Sequence, residues 1–254
     1  MSDRMGERGF TLVEIMVSLT IGLLLTIAVA SLFVNSRRTY ATTDDLSRMQ
    51  ENIRYAYHVL NRTIHHAGYK SSPNTFTEDI FTAAAPLISA VDAGAKSTLP
   101  DTLTVRFEGN GGVTGSADNT IVDCVGNPVA AAGMVVNTFS IANGANGRPA
   151  LHCSVNGGAP QELVADVENF QIAFGQDEDF DLVADRFVPF SGAITPLNVR
   201  AVRIAMLFSS PNASVNAAPD TKTYDLNEVT IPAANDTRIR RAVTMTISLR
   251  NRAP

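Results

Sequence analysis

The sequence predicts an α+β protein: a long N-terminal helix, apolar in its first half and amphipathic in its second, packed on a mainly antiparallel β-sheet head. Three observations carry this. Phe10 to Val34 holds a single ionisable side chain, Glu14. No proline occurs before Pro73, and an apolar stripe at helical spacing runs from Leu46 to Ala67. After Pro73, short β-rich runs alternate with Gly, Asn, Pro and Asp clusters. The 254 residues suit one or two domains. With 45% apolar residues, a disordered chain is excluded. Two cysteines are too few for a disulfide-dense scaffold or a four-thiolate zinc site. The net charge of −5 provides no general basic field for nucleic acid.

The first element is the apolar block. At 1.5 Å per residue, a helix over Phe10–Val34 is about 37 Å long, enough to cross a hydrocarbon core with some tilt. It is longer than the apolar region of a secretory signal, and no A-x-A-like site follows it. Arg4 and Arg8 precede the block and Arg37 and Arg38 follow it, so basic residues barely bias its orientation. The polar-to-apolar boundary, Gly9-Phe10-Thr11-Leu12-Val13-Glu14, carries the sharper signal. A carboxylate inside an apolar span is costly, and the first helical turn offsets only part of that cost. A cut between Gly9 and Phe10 would create an α-amino group four residues from Glu14, a natural counter-ion in the same or a neighbouring chain.

Residues GFTLVEIMVSLTIGLLLTIAV, behind a short polar leader, resemble the type III signal and transmembrane helix of type IV prepilins. The resemblance implies cleavage after Gly9 by prepilin peptidase and N-methylation of Phe10. It also implies that Glu14 guides assembly by neutralising the N-terminus of an adjacent subunit.

The second element continues the helix. Leu46, Met49, Ile53, Ala56, Leu60, Ile64 and Ala67 recur at spacings of three and four, the pattern of one buried helix face. Gly68 is placed as the C-terminal cap. One helix over about 10–67 would be nearly 90 Å long. His65 and His66 read as helix-end histidines compatible with the dipole rather than as metal ligands.

The third element is the head. Strands are predicted at Thr102–Phe107, Thr120–Val125, Met134–Ala142, Pro149–Val155, Glu162–Asp166, Asn169–Gly175, Val199–Ser209 and Ala242–Arg250. In the last, Val243, Met245, Ile247 and Leu249 fall on one face. Ser71–Leu99 reads as the loop between helix and sheet. The domain reading is therefore a leader over 1–9, a transmembrane helix over 10–34, its amphipathic continuation over 35–68, and a periplasmic head over 69–254.

Cys124 and Cys153 would close a loop of about 30 residues; bridged, they would contribute roughly 3.5 kcal/mol in the chain-entropy model and call for an oxidising compartment. The alternative is two buried free thiols. Asp177, Asp179, Asp181 and Asp185 stand at positions 1, 3, 5 and 9 of a calcium-loop spacing. The loop departs from that pattern at Leu182, where glycine permits the sharp turn, at the bulky Phe180, and at Val188 in the twelfth position. The expectation is a calcium site or a plain solvated acidic turn; no other cofactor is called for. No Ser–His–Asp constellation, metal-ligand cluster or phosphate-binding glycine loop points to an enzyme; Gly109–Gly112 is a turn without the Gly-Lys-Ser/Thr of a P-loop. Arg238, Arg240, Arg241, Arg250 and Arg252 offer a local basic cluster, but strand alternation splits them between faces and the overall charge opposes nucleic-acid binding.

The segments FQIAFGQDEDFDLVADRF, AVRIAMLFSS and RIRRAVTMTISLRNR are similar to those of PilW-type minor pilins of Gram-negative type IV pilus systems. The resemblance implies an inner-membrane single-pass precursor with a periplasmic head, later part of a surface pilus. Its implied partners are other minor pilins, the major pilin, prepilin peptidase, the inner-membrane assembly platform and a PilY-type tip adhesin. The implied roles are priming of assembly, adhesion, twitching motility and DNA uptake. The rival reading is a J-type minor pseudopilin of type II secretion.

Overall fold

The computed structural model describes residues 10–71, 81–82, 84–92, 97–110, 116–189, 198–213 and 218–252. The chain divides into two compact units, Met1–Asp44 and Asp45–Pro254. One helix, α1 (Leu12–His65), contributes to both. In the first unit it is long and apolar enough to cross a membrane, and none of its most apolar window is buried.

From Asp45 onward α1 becomes part of a core. Met49, Ala56, Val59, Leu60 and Ile64 are buried, as the stripe predicts, with Ile53 packed at the margin. The stripe begins one residue earlier than predicted. Leu46 is 38% exposed, and Asp45 is fully buried, its Oδ1 accepting the Asn212 side chain at 2.7 Å. Gly68, at φ +73°, ends the helix in the left-handed conformation that glycine tolerates. Asn251 Nδ2 donates to the carbonyls of His65 and Ala67, two groups a helix end otherwise leaves unpaired. Burial dominates at the histidines. It lowers the His65 and His66 pKa values, with Arg250 and Arg62 respectively adding to the shift. His66 packs edge-on against Phe107.

Two antiparallel sheets complete this unit, where the sequence predicts one. The first runs in the order β1-β2-β3-β4-β5: β1 (Ile88–Val91), β2 (Thr102–Glu108), β3 (Met134–Asn143), β4 (Pro149–Val155) and β5 (Gln161–Ala165). The second runs β11-β8-β6-β7: β6 (Val167–Gln176), β7 (Arg186–Pro189), β8 (Val199–Ser209) and β11 (Arg240–Ser248). A hairpin of β9 (Tyr224–Leu226) and β10 (Val229–Ile231) stands apart from both ladders. The chain passes between sheets at Asp166, whose φ of +62° breaks what would be one long strand; Arg148 pairs with its carboxylate at 2.8 Å.

Phe107 and Phe139 from the first sheet, Phe170 and Phe208 from the second, and Leu60 from α1 belong to one continuous core. Burial of each such side chain is worth about 1.5–3 kcal/mol. Strand β8 is buried along both faces. Its second face holds Ala205 and Leu207 against Leu226 of the small hairpin. Within β11, Met245 and Ile247 are buried while Thr244, Thr246 and Ser248 are exposed; Leu249, just beyond the strand, is buried too.

Two sequence expectations are corrected. Thr120–Val125 is not a strand. Asp118 accepts the Thr120 amide, and Asp123 accepts those of Val125 and Asn127, so local side chains take the hydrogen bonds a ladder needs. The Ser71–Leu99 region, read as loop, contains β1, which pairs with β2 from Ile88–Val105 to Val91–Thr102.

Candidate functional site

The N-terminal motif is built at the start of α1. Thr11 precedes the first helical residue. Its Oγ1 accepts the Glu14 amide at 3.3 Å, while Glu14 Oε2 accepts both the Thr11 amide and the Thr11 hydroxyl at 3.3 Å. This is a capping box, Thr-x-x-Glu, in which two otherwise unpaired amides are satisfied reciprocally. Glu14 is thus a structural element of its own helix as well as the sole charge of the apolar block. The Thr11-Leu12-Val13-Glu14 string spells the box outright, yet reading Glu14 only as a counter-ion passes over it. Phe10 is 80% exposed immediately before the helix. Gly9, the expected cleavage position, lies outside the described residues with the rest of 1–9.

From Leu12 to Val34 the large apolar side chains stay at least 47% exposed. Ser18, Thr20, Thr26 and Ser31 return their hydroxyls to carbonyls three or four residues back, so they present little unsatisfied polarity. Such a surface is stable only when lipid or other apolar helices cover it.

The acidic loop joins β6 to β7. Gly175 admits it closely: a Cβ there would come within 2.8 Å of Ala184 Cβ. Asp177 is fully buried, and its Oδ2 accepts Arg200 Nε at 2.8 Å and the Leu182 amide at 3.1 Å. Burial pushes its carboxyl up, but the Arg200 guanidinium and the amides of Leu182 and Phe180 outweigh that and hold it below the usual range. Asp177, Asp179 and Asp185 each bring one oxygen to within 4.8 Å of the others. Asp181 is not part of that group; its Oδ1 accepts the Val183 amide at 2.8 Å. Arg200, which anchors the loop from β8, carries no sequence signal, since pairing across two strands is invisible in local spacing.

Cys124 and Cys153 form a disulfide, with Cα atoms 6.4 Å apart. Two of the C-terminal arginines have other employment. Arg240 is 3% exposed in its side chain and lies between Asp236, at 2.6 Å, and Glu168, at 2.7 Å. Arg238 donates to the carbonyls of Ser210 and Pro211. Arg238 and Arg240 are committed to the head's interior, while Arg241 and Arg250 are exposed.

Comparison with known proteins agrees with this architecture. Residues 138–251 match the family model described as Type IV Pilus-assembly protein W. Residues 4–30 match the Prokaryotic N-terminal methylation motif. No curated protein matches the chain. Among solved structures, it is similar to a type IV-like pilin, TTHA1219 from Thermus thermophilus. The likeness has 16% identity and a TM-score of 0.48, over 82% of this chain and 100% of that one. The α+β architecture stands on the helix and sheets described above. The family matches indicate a structural protein of pilus assembly rather than an enzyme. With one match at each end, the chain is similar to the PilW-type type IV pilins.

Proposed function

We propose that this chain is a minor pilin that primes assembly of a type IV pilus and resides at its tip. The observation that carries the reading is the first unit: an exposed apolar helix that starts two residues after Phe10 and holds one carboxylate, Glu14, in its first turn. In this reading prepilin peptidase cuts after Gly9 and methylates Phe10. The apolar helix anchors the chain in the inner membrane of a Gram-negative cell, with the head in the periplasm. It then exchanges lipid for the helices of other minor pilins and the major pilin on the assembly platform. Glu14 faces the new amine of a neighbour. The large head presents the tip surface, on which a PilY-type adhesin would sit, and the roles in adhesion, twitching motility and DNA uptake follow from that position. The disulfide supports an oxidising compartment for the head.

The capping box makes the test sharp. Glu14→Ala removes both the charge and the cap. Glu14→Gln removes only the charge, because glutamine serves equally at that position of the box. Both variants are expected to insert and be processed but to be poorly incorporated into sheared pili. Normal incorporation of Glu14→Gln would leave Glu14 as a cap alone and end the counter-ion role.

A further inference from the structure

Among the described residues, one group of carboxylates is close enough to share an ion, and it lies far in sequence from the N-terminal motif: Asp177, Asp179 and Asp185. Proximity of acidic groups in an exposed turn is common. Asp177 distinguishes this one. Its Oδ2 is taken by Arg200 and the Leu182 amide, but Oδ1 is buried with no hydrogen-bond donor. Folding has enclosed this oxygen while the charge of Arg200 is engaged on the other one, an arrangement that a further cation would complete.

We propose that the β6–β7 loop binds a calcium ion through Asp177, Asp179 and Asp185. The backbone holds the three together across the loop. The Asp185 amide donates to the Gln176 carbonyl at 2.8 Å, and Asp185 Oδ2 accepts the Glu178 amide at 2.7 Å, so the far side of the hairpin is pinned to the near side. Asp179 Oδ1 accepts the Asp181 amide, leaving its second oxygen for the ion. The donor set is oxygen only, without His or Cys, which selects a hard cation. The irregular loop geometry suits the variable coordination of calcium better than the strict octahedron of magnesium. Charge points the same way: five carboxylates between Asp177 and Asp185 are opposed by Arg186, on Glu178, and Arg200, on Asp177. Arg200 neutralises one oxygen of one ligand, and the position-12 residue is Val188 rather than a bidentate glutamate. Both features place the affinity in the weak class of extracellular modules, about 0.1–1 mM.

Calorimetric titration of the full chain in detergent, stripped of metal with chelator, tests this. Calcium chloride is expected to give a saturable heat with one ion per chain, and magnesium chloride none. Asp179→Asn and Asp185→Asn alter exposed side chains and should melt as the parent does in chelator, yet each should weaken calcium binding by about tenfold or more. Asp181→Asn should bind within about twofold of the parent. Absence of saturable heat up to about 10 mM calcium would overturn the site, as would unchanged binding in the Asp179→Asn/Asp185→Asn double variant. An equal response to magnesium would overturn the assignment to calcium.

Discussion

Leu24 and Leu60 lie on the same helix and obey different rules. Leu24, in the unit before Asp45, is 67% exposed; Leu60, in the unit after it, is fully buried. Up to Val34 the helix is apolar over most of its surface and its covering must come from outside the chain. Beyond Asp45 it is apolar on one stripe, and two sheets of the same chain cover that stripe. Hydrophobicity therefore has two meanings within one element. In the first unit it specifies a solvent, and in the second it specifies a fold. The change from an all-round to a one-sided pattern marks where one environment gives way to the other.

The largest test of that contrast is a matched pair of truncations. Leu60→Ala should cost the head about 2–5 kcal/mol, because it opens a cavity in the continuous core. Leu24→Ala should change head stability by less than about 0.5 kcal/mol. Denaturant unfolding of the detergent-solubilised chain, followed by the β-sheet circular dichroism signal, measures both. Equal losses would break the comparison.

The same contrast explains what could be read from the sequence. The helix was legible over nearly its full length, since absence of proline and a three–four spacing are local properties. The long strands β3, β4 and β8 were legible because their runs exceed a few residues. Strands β1, β7, β9 and β10 were not: each has three or four residues and is a strand only because a partner lies beside it. Thr120–Val125 misled because its β-forming residues sit between Asp118 and Asp123, whose carboxylates capture the local amides. At the acidic loop, the spacing of aspartates identified three residues that do converge. It could not show that Asp181 turns back on Val183 or that Arg200, 23 residues away, anchors Asp177.

A second, smaller test uses the charges that the head alone encloses. Asp236 accepts two hydrogen bonds from Arg240, which, with the Arg238 amide and despite some desolvation, hold its pKa down at about 2. The unfolded value is the ordinary 3.8, so the folded state binds this proton less readily. Its contribution to stability is complete above about pH 4 and is lost as pH falls toward 2. The side chain is 39% exposed, so solvent screens the pair and the effect is below that of Leu60→Ala. Asp236→Asn should flatten the melting temperature between about pH 4 and 2 relative to the parent, while the helical signal of the first unit stays unchanged. Parallel pH profiles for parent and variant would show that Asp236 titrates identically in both states.

The smallest effect is also the one whose sign should reverse between the units. Leu182, in the acidic loop, has φ +73° and is 45% exposed. A leucine in the left-handed region is strained by about 1–2 kcal/mol, and glycine removes that strain while adding about 0.5–1 kcal/mol of unfolded-state entropy. Little packing is lost from a side chain so exposed. Leu182→Gly should therefore stabilise the head by about 0.5–1 kcal/mol, read as a raised melting temperature. Leu24 is just as apolar and more exposed, but it sits inside a helix, where glycine is about 1 kcal/mol worse than a good helix former. Leu24→Gly should lower helicity and leave the head's melting unchanged. If both substitutions destabilise, the loop holds no strain at Leu182, and backbone conformation does not distinguish an exposed leucine of the head from one of the apolar helix.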